Sequence, residues 1–151
     1  MPMPPLLQLA DEEAYRQHYI RNLCRAAITT HDGIRVYFNA NKFGHAFFES
    51  SDRRGADDIF SPARAQRMDW IAAALADPNA LCLQGWDHRS QSYTPKRRAS
   101  VVVQDFVIVL AISTKRNGDL KANFLTCFKA ENSITKIRQS PAWTRDAYDN
   151  S

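Results

Sequence analysis

The chain is short of the residues on which several kinds of protein depend. Its three cysteines, Cys24, Cys82 and Cys127, are odd in number, lie far apart and form no CxxC pair. That argues against a disulfide framework and a thiolate zinc site, and it suits a reducing compartment. Only five glycines occur, with neither a P-loop nor a GxGxxG run among them to cradle a phosphate. The longest apolar run, residues 106–112, is far short of a membrane span, so no membrane partner is expected. The opening MPMPPLLQLA lacks a basic n-region and a proper apolar h-region, and does not read as a signal peptide. The expectation is a cytoplasmic protein, or the payload of a larger delivery system, which needs no signal of its own. The four histidines, His18, His31, His45 and His88, have no ligand-like spacing, and no HExxH is present. Asp57-Asp58 reads as loop solubility, so neither a metal nor another cofactor is expected.

What is there fits one globular domain. The chain has 151 residues, of which 44% are hydrophobic and 24% charged, enough to bury a core without staples. Its net charge of +4 is modest but unevenly spread. Residues 1–60 hold 7 basic and 8 acidic side chains, whereas 61–151 hold 13 basic and 8 acidic. The second half is the place for an anionic ligand.

Pro2, Pro4 and Pro5 make residues 1–10 an extended arm, with a single domain over 11–151. Asp11 is placed to cap a helix over 12–28, and Ile34–Phe38 reads as a short strand after the turn at His31-Asp32-Gly33. Ser61 and Pro62 open a second helix that Asp77-Pro78 closes. Strands are expected over 80–86 and 99–113, with a bulge or strand change at Gln104-Asp105 and a polar loop over 87–96 that contains Pro95. Asn117-Gly118 predicts a hairpin into a strand over 120–129. Strict alternation in that strand puts Leu120, Ala122, Phe124, Thr126 and Phe128 on one face. Helices followed by antiparallel strands make an α+β domain.

His45, within Phe43-Gly44-His45-Ala46-Phe47-Phe48, is either a structural histidine or a general acid or base at neutral pH. Arg64, Arg67, Lys96, Arg97, Arg98, Lys129, Lys136 and Arg138 form a solvated basic surface or converge on a phosphate. Thr126 and Ser133 serve locally or offer hydroxyls to a phosphate oxygen. Trp86, Tyr93 and Trp143 are able to stack a base, although Trp143, close to Pro141, also suits a tail anchor.

Taken in order, Lys42–Phe47, the Arg64–Pro78 helix, the Arg98–Ile112 strand and Asn123–Trp143 resemble the phage-associated branch of the barnase–EndoU–colicin–RelE (BECR) nuclease family. The resemblance spans most of residues 34–143. It implies N-terminal helices packed on an approximately four-stranded antiparallel sheet. It also implies a metal-independent ribonuclease or toxin, in which the 2′-hydroxyl of RNA attacks the adjacent phosphate and leaves a 2′,3′-cyclic phosphate. By position, His45 matches the family's histidine after the first strand. Arg98 matches a basic residue entering a central strand, and Thr126 the hydroxyl residue of the last strand. Arg64, Arg67, Lys129, Lys136 and Arg138 are assigned to substrate binding from charge alone. No second histidine completes an acid–base pair. The alternative is therefore a non-catalytic module of phage or prophage origin that binds nucleic acid or an acidic protein, such as an immunity or antitoxin partner.

Overall fold

The computed structural model of the chain describes residues 3–51 and 57–151, with Asp57 through its backbone alone. Pro2 of the arm and the Asp57 side chain lie outside the described residues. Helix α1 (Glu12–Tyr19) begins where the Asp11 carboxylate accepts the Ala14 N–H at 2.8 Å, with Glu12 and Glu13 against the positive end of the dipole. It widens over Ile20–Cys24 into a π-turn in which the Arg25 N–H reaches the Ile20 carbonyl. The helix therefore ends before residue 28, and Ile28–Thr29 is a strand, β1. Strand β2 (Arg35–Tyr37) pairs with it antiparallel. A short α2 (Phe43–Ala46) follows, then a separate hairpin of β3 (Phe48–Ser50) and β4 (Asp57–Phe60). Ser61 caps α3 (Pro62–Ala65) as expected, but the continuous helix breaks at Gln66-Arg67 before α4 (Met68–Ala76).

Four long strands come next, β5 (Leu81–Asp87), β6 (Ser92–Val103), β7 (Phe106–Thr114) and β8 (Leu120–Lys129). The chain ends in two short helices, α5 (Ile134–Arg138) and α6 (Arg145–Asp149). The domain is α+β, but its main sheet corrects the expected four-stranded antiparallel one. Six strands run in the order β1-β2-β8-β7-β6-β5, and β2 joins β8 in parallel. The added pairing is long-range, so no local pattern announces it. The turns behave as read. Gln104-Asp105 is the change from β6 to β7, with Gln104 at φ 55°, and Gly118 takes φ 92° in the β7–β8 hairpin.

Helices α1, α2 and α4 cover one face of the sheet. Tyr19, Phe43, Phe47, Met68 and Ile71 pack there on Phe106, Ile108, Leu110 and Phe124. On the other face, Ile134 and Ile137 of α5 cover a smaller cluster that includes Val102, Val107 and Phe128. The rest of that second face is open.

Two irregularities set what the open face displays. In β8 the pairing shifts between Val109 opposite Thr126 and Leu110 opposite Phe124, leaving Leu125 as an extra residue. Leu120, Ala122 and Phe124 face the helices, but beyond the bulge that role passes to Cys127. Thr126 and Phe128 therefore turn to the opposite side, which corrects the single alternating stripe. In β6, Pro95, Lys96, Arg97 and Arg98 bulge between Thr94 opposite Gly85 and Ala99 opposite Gln84. Pro95 belongs to this strand and not to a loop. It has no N–H to lose, and its carbonyl accepts the Trp143 indole N–H at 2.9 Å.

Gly85 makes the crossing possible, because a Cβ there would lie 2.9 Å from the Arg98 Cβ. Gly85→Ala is expected to cost about 1–3 kcal/mol, the usual range for overpacking, seen as a lower urea midpoint. An unchanged midpoint would mean that β5 and β6 are not held this closely.

Candidate functional site

The open face is built by strand alternation. Val36, Ala99, Leu110, Ile112 and Ala122 point into the main core, so their strand neighbours point away from it. Register then lines up Arg98, Ala111, Asn123 and Tyr37 as one row across β6, β7, β8 and β2. The adjoining row is Ser113, Lys121 and Arg35. On the other side lie Ser100, Val109 and Thr126. Two strand spacings separate Arg98 from Asn123, about 10 Å between backbones. The Arg35 guanidinium sits 4.9 Å from the Tyr37 ring centroid, a cation–π contact that holds both side chains on this face. Tyr37 is 40% exposed. These rows carry three cations, a phenol, an amide and hydroxyls. No Asp, Glu or His stands in them.

Beside the rows, a pocket of about 240 Å³ opens between the β5–β6 hairpin and α5. Trp86 and Tyr93 face each other across the hairpin, edge to face at 5.1 Å, and remain 44% and 37% exposed. Lys136 of α5 and Ser100 of the third row line the same pocket. A cationic surface next to exposed aromatic rings matches the two needs of a single nucleic-acid strand, charge for the phosphates and a flat partner for a base.

No family model, no curated protein and no solved structure matches the chain. The site therefore rests on its own geometry.

That geometry divides the residues picked from the sequence. Arg98 and Thr126 share the open face, and Lys136 joins them from α5. His45 does not. Phe43, Ala46 and Phe47 turn inward, and α2 lies against the helix-covered face, where the Ala46 carbonyl accepts from the Cys127 thiol. His45 is exposed on that opposite side of the sheet. Arg64 is there too, its guanidinium donating to the Phe48 carbonyl at 2.6 Å and the Ala46 carbonyl at 3.3 Å. Arg64 and Lys129 line one groove with Glu49 and Glu131, and Lys129 also lies 3.9 Å from Asp105. Arg67 donates to the Ala63 carbonyl and stacks on Trp70, which is a structural use of its charge. Arg138 donates to the Gln104 carbonyl at 2.6 Å, fastening α5 to the β6–β7 turn. Trp143 is buried as a tail anchor and offers no stacking surface.

Arg35, Tyr37, Lys121 and Asn123 are site residues that sequence reasoning missed. Their signal is the alternation Arg35-Val36-Tyr37 and Lys121-Ala122-Asn123, where one apolar residue points inward between two polar ones.

Nucleophilic cysteine chemistry is a poor fit. Burial pushes the Cys82 and Cys127 thiols up to about 12, so both are protonated at neutral pH. Among the described residues, no three His, Cys, Asp or Glu side chains converge as metal ligands would, and no helix is long and apolar enough to cross a membrane.

Proposed function

We propose that the chain is an RNA-acting domain of the BECR kind, binding a single strand on the open face of its sheet and cleaving it there without a metal. The observation that carries this reading is the register that gathers Arg35, Arg98 and Lys121 around Asn123 and Tyr37, beside the Trp86–Tyr93 pair. In such a reaction the substrate brings its own nucleophile. The 2′-hydroxyl gives up its proton to a base as its oxygen bonds to phosphorus, the P–O5′ bond breaks, the 5′-oxygen leaves with a proton from an acid, and a 2′,3′-cyclic phosphate remains. The protein supplies proton transfer and positive charge. Arg98 and Arg35 stabilise the developing phosphorane charge, Lys121 and Tyr37 are the proton-transfer groups on the face, and Thr126 hydrogen-bonds a phosphate oxygen.

The deciding experiment incubates total RNA with the purified chain in EDTA, comparing wild type, Arg98→Ala and His45→Ala. The proposal expects cyclic-phosphate ends from wild type and His45→Ala, with a large loss in Arg98→Ala. Loss in His45→Ala alone would move the chemistry to the other side of the sheet. A second reading, RNA binding without cleavage, is favoured by the absence of any histidine or carboxylate from the three rows. It expects retention of RNA with no new ends from any of the three proteins.

Both readings place a base against Trp86. Trp86→Ala is expected to weaken binding of a short single strand by about 1–3 kcal/mol, the usual value of one base–aromatic stack. Fluorescence anisotropy measures it, and an unchanged affinity would remove the pocket from the interface.

A further inference from the structure

On the helix-covered side of the sheet, between strands β5, β6 and β7, the β1–β2 turn, α4 and the C-terminal segment, lies a cavity of about 420 Å³. Four small residues line it: Ala74 on α4, Ala80 just before β5, Cys82 on β5 and Ala99 on β6. Leu75, Val101, Leu110 and Trp143 close around that space. The pocket is half open to solvent, and small-molecule sites are concave, of about this volume and of this apolar character.

The mouth is polar, with an excess of carboxylates. Asp32, Asp77 and Asp146 stand there with His31 and Arg145. Arg145 is engaged by Asp32, with its Nε 3.3 Å from the carboxylate and its second terminal nitrogen donating to the Asp32 carbonyl at 2.8 Å. With that pair neutralised, Asp77 and Asp146 leave the rim acidic, opposite in sign to the open face of the sheet. The same carboxylates oppose entry of a nucleotide or any other anion.

We propose that this cavity binds a small organic cation, a ring-sized apolar body carrying a protonated amine. The body lies in the pocket against Ala80, Cys82 and the C-terminal segment, and the ammonium meets Asp77 and Asp146. This site is separate from the RNA-binding face and does not depend on it.

The test titrates the wild-type chain with naphthylmethylamine and, separately, with naphthylacetate, which has the same ring and the opposite charge, followed by amide and indole NMR. The amine is expected to bind saturably and at least about tenfold more tightly than the acetate, with shifts centred on Ala99, Val101 and the Trp143 indole N–H. Asp77→Asn with Asp146→Asn, both at the rim, should bring the two affinities to within about threefold. Ala99→Phe, which fills the cavity, should abolish amine binding. Should that variant fail to fold, the wild-type shift map still decides the location. No saturable amine binding, equal affinity for amine and acetate, or shifts centred elsewhere would each overturn the proposal.

Discussion

Arg98→Ala is expected to slow RNA cleavage by about 10²–10³-fold, the usual loss when one preorganised donor to a developing oxyanion is removed. The expectation rests on where the chain places this arginine. Arg98 leaves the β6 bulge into register with Ala111, and its backbone is fixed by Gly85 on one side and β7 on the other. A guanidinium mounted on such a base loses little freedom when it meets a phosphate, and its planar fork matches two of the oxygens. Binding and catalysis separate in the salt dependence. Removing one cation that neutralises a phosphate of a single strand should lower the slope of log K against log salt by about 0.7. Arg98→Ala and Lys121→Ala should each show that change, whereas Arg21→Ala, at an exposed position on the π-turn, should not. If Arg98→Ala changed neither the rate nor the slope, the open face would not be the place where RNA sits.

Why this face is only half visible in the sequence follows from how sheets are made. Ser61-Pro62, Gln104-Asp105 and Asn117-Gly118 act through their own backbone preferences, so caps and turns are legible one residue at a time. A bulge is different. Leu125 is an ordinary strand residue in composition, and only its partner strand makes it the extra one. That one insertion moves Thr126 off the face it was expected to share with Phe124 and onto the open one, one row over and two strands away from Arg98. The bulge at Pro95–Arg98 reads as loop because proline argues against a central strand, and here the chain uses the missing N–H where the ladder is already broken.

The charge count misleads for a related reason. It directs attention to residues 61–151, yet Arg35 and Tyr37 reach the site from the first half through the parallel pairing of β2 with β8. Basic residues are also poor witnesses taken singly. Arg64, Arg67 and Arg138 each donate to backbone carbonyls within the fold, a use that net charge does not distinguish from a ligand contact. His45 stands out for its aromatic neighbours, but burial of Phe43 and Phe47 is what turns it outward on the far side.

The largest stability effect is expected at Phe124, where Phe124→Ala should cost about 3–5 kcal/mol, in line with other buried phenylalanine truncations. Its ring lies 5.0 Å from Phe38, 6.3 Å from Tyr19 and 6.4 Å from Phe47, so it joins β8 to α1, α2 and the segment after β2 in one aromatic cluster. Tyr19, at the centre of the same cluster, is fully buried and donates its hydroxyl to the Asn39 carbonyl at 2.8 Å. Burial holds that phenol well above its ordinary range, so the native state keeps it neutral; stability is unaffected through it at neutral pH and should fall as pH rises past about 10, where the unfolded chain ionises its tyrosine. For a domain of this size, the Phe124 loss should lower Tm by about 10–15 °C. Leu125→Ala, at the half-buried bulge position next door, should cost far less. Comparing the two by thermal and urea unfolding tests the register itself. Were Leu125 the costly residue and Phe124 the tolerant one, β8 would be shifted by one position. Thr126 would then face the core, and the open face would lose its third row.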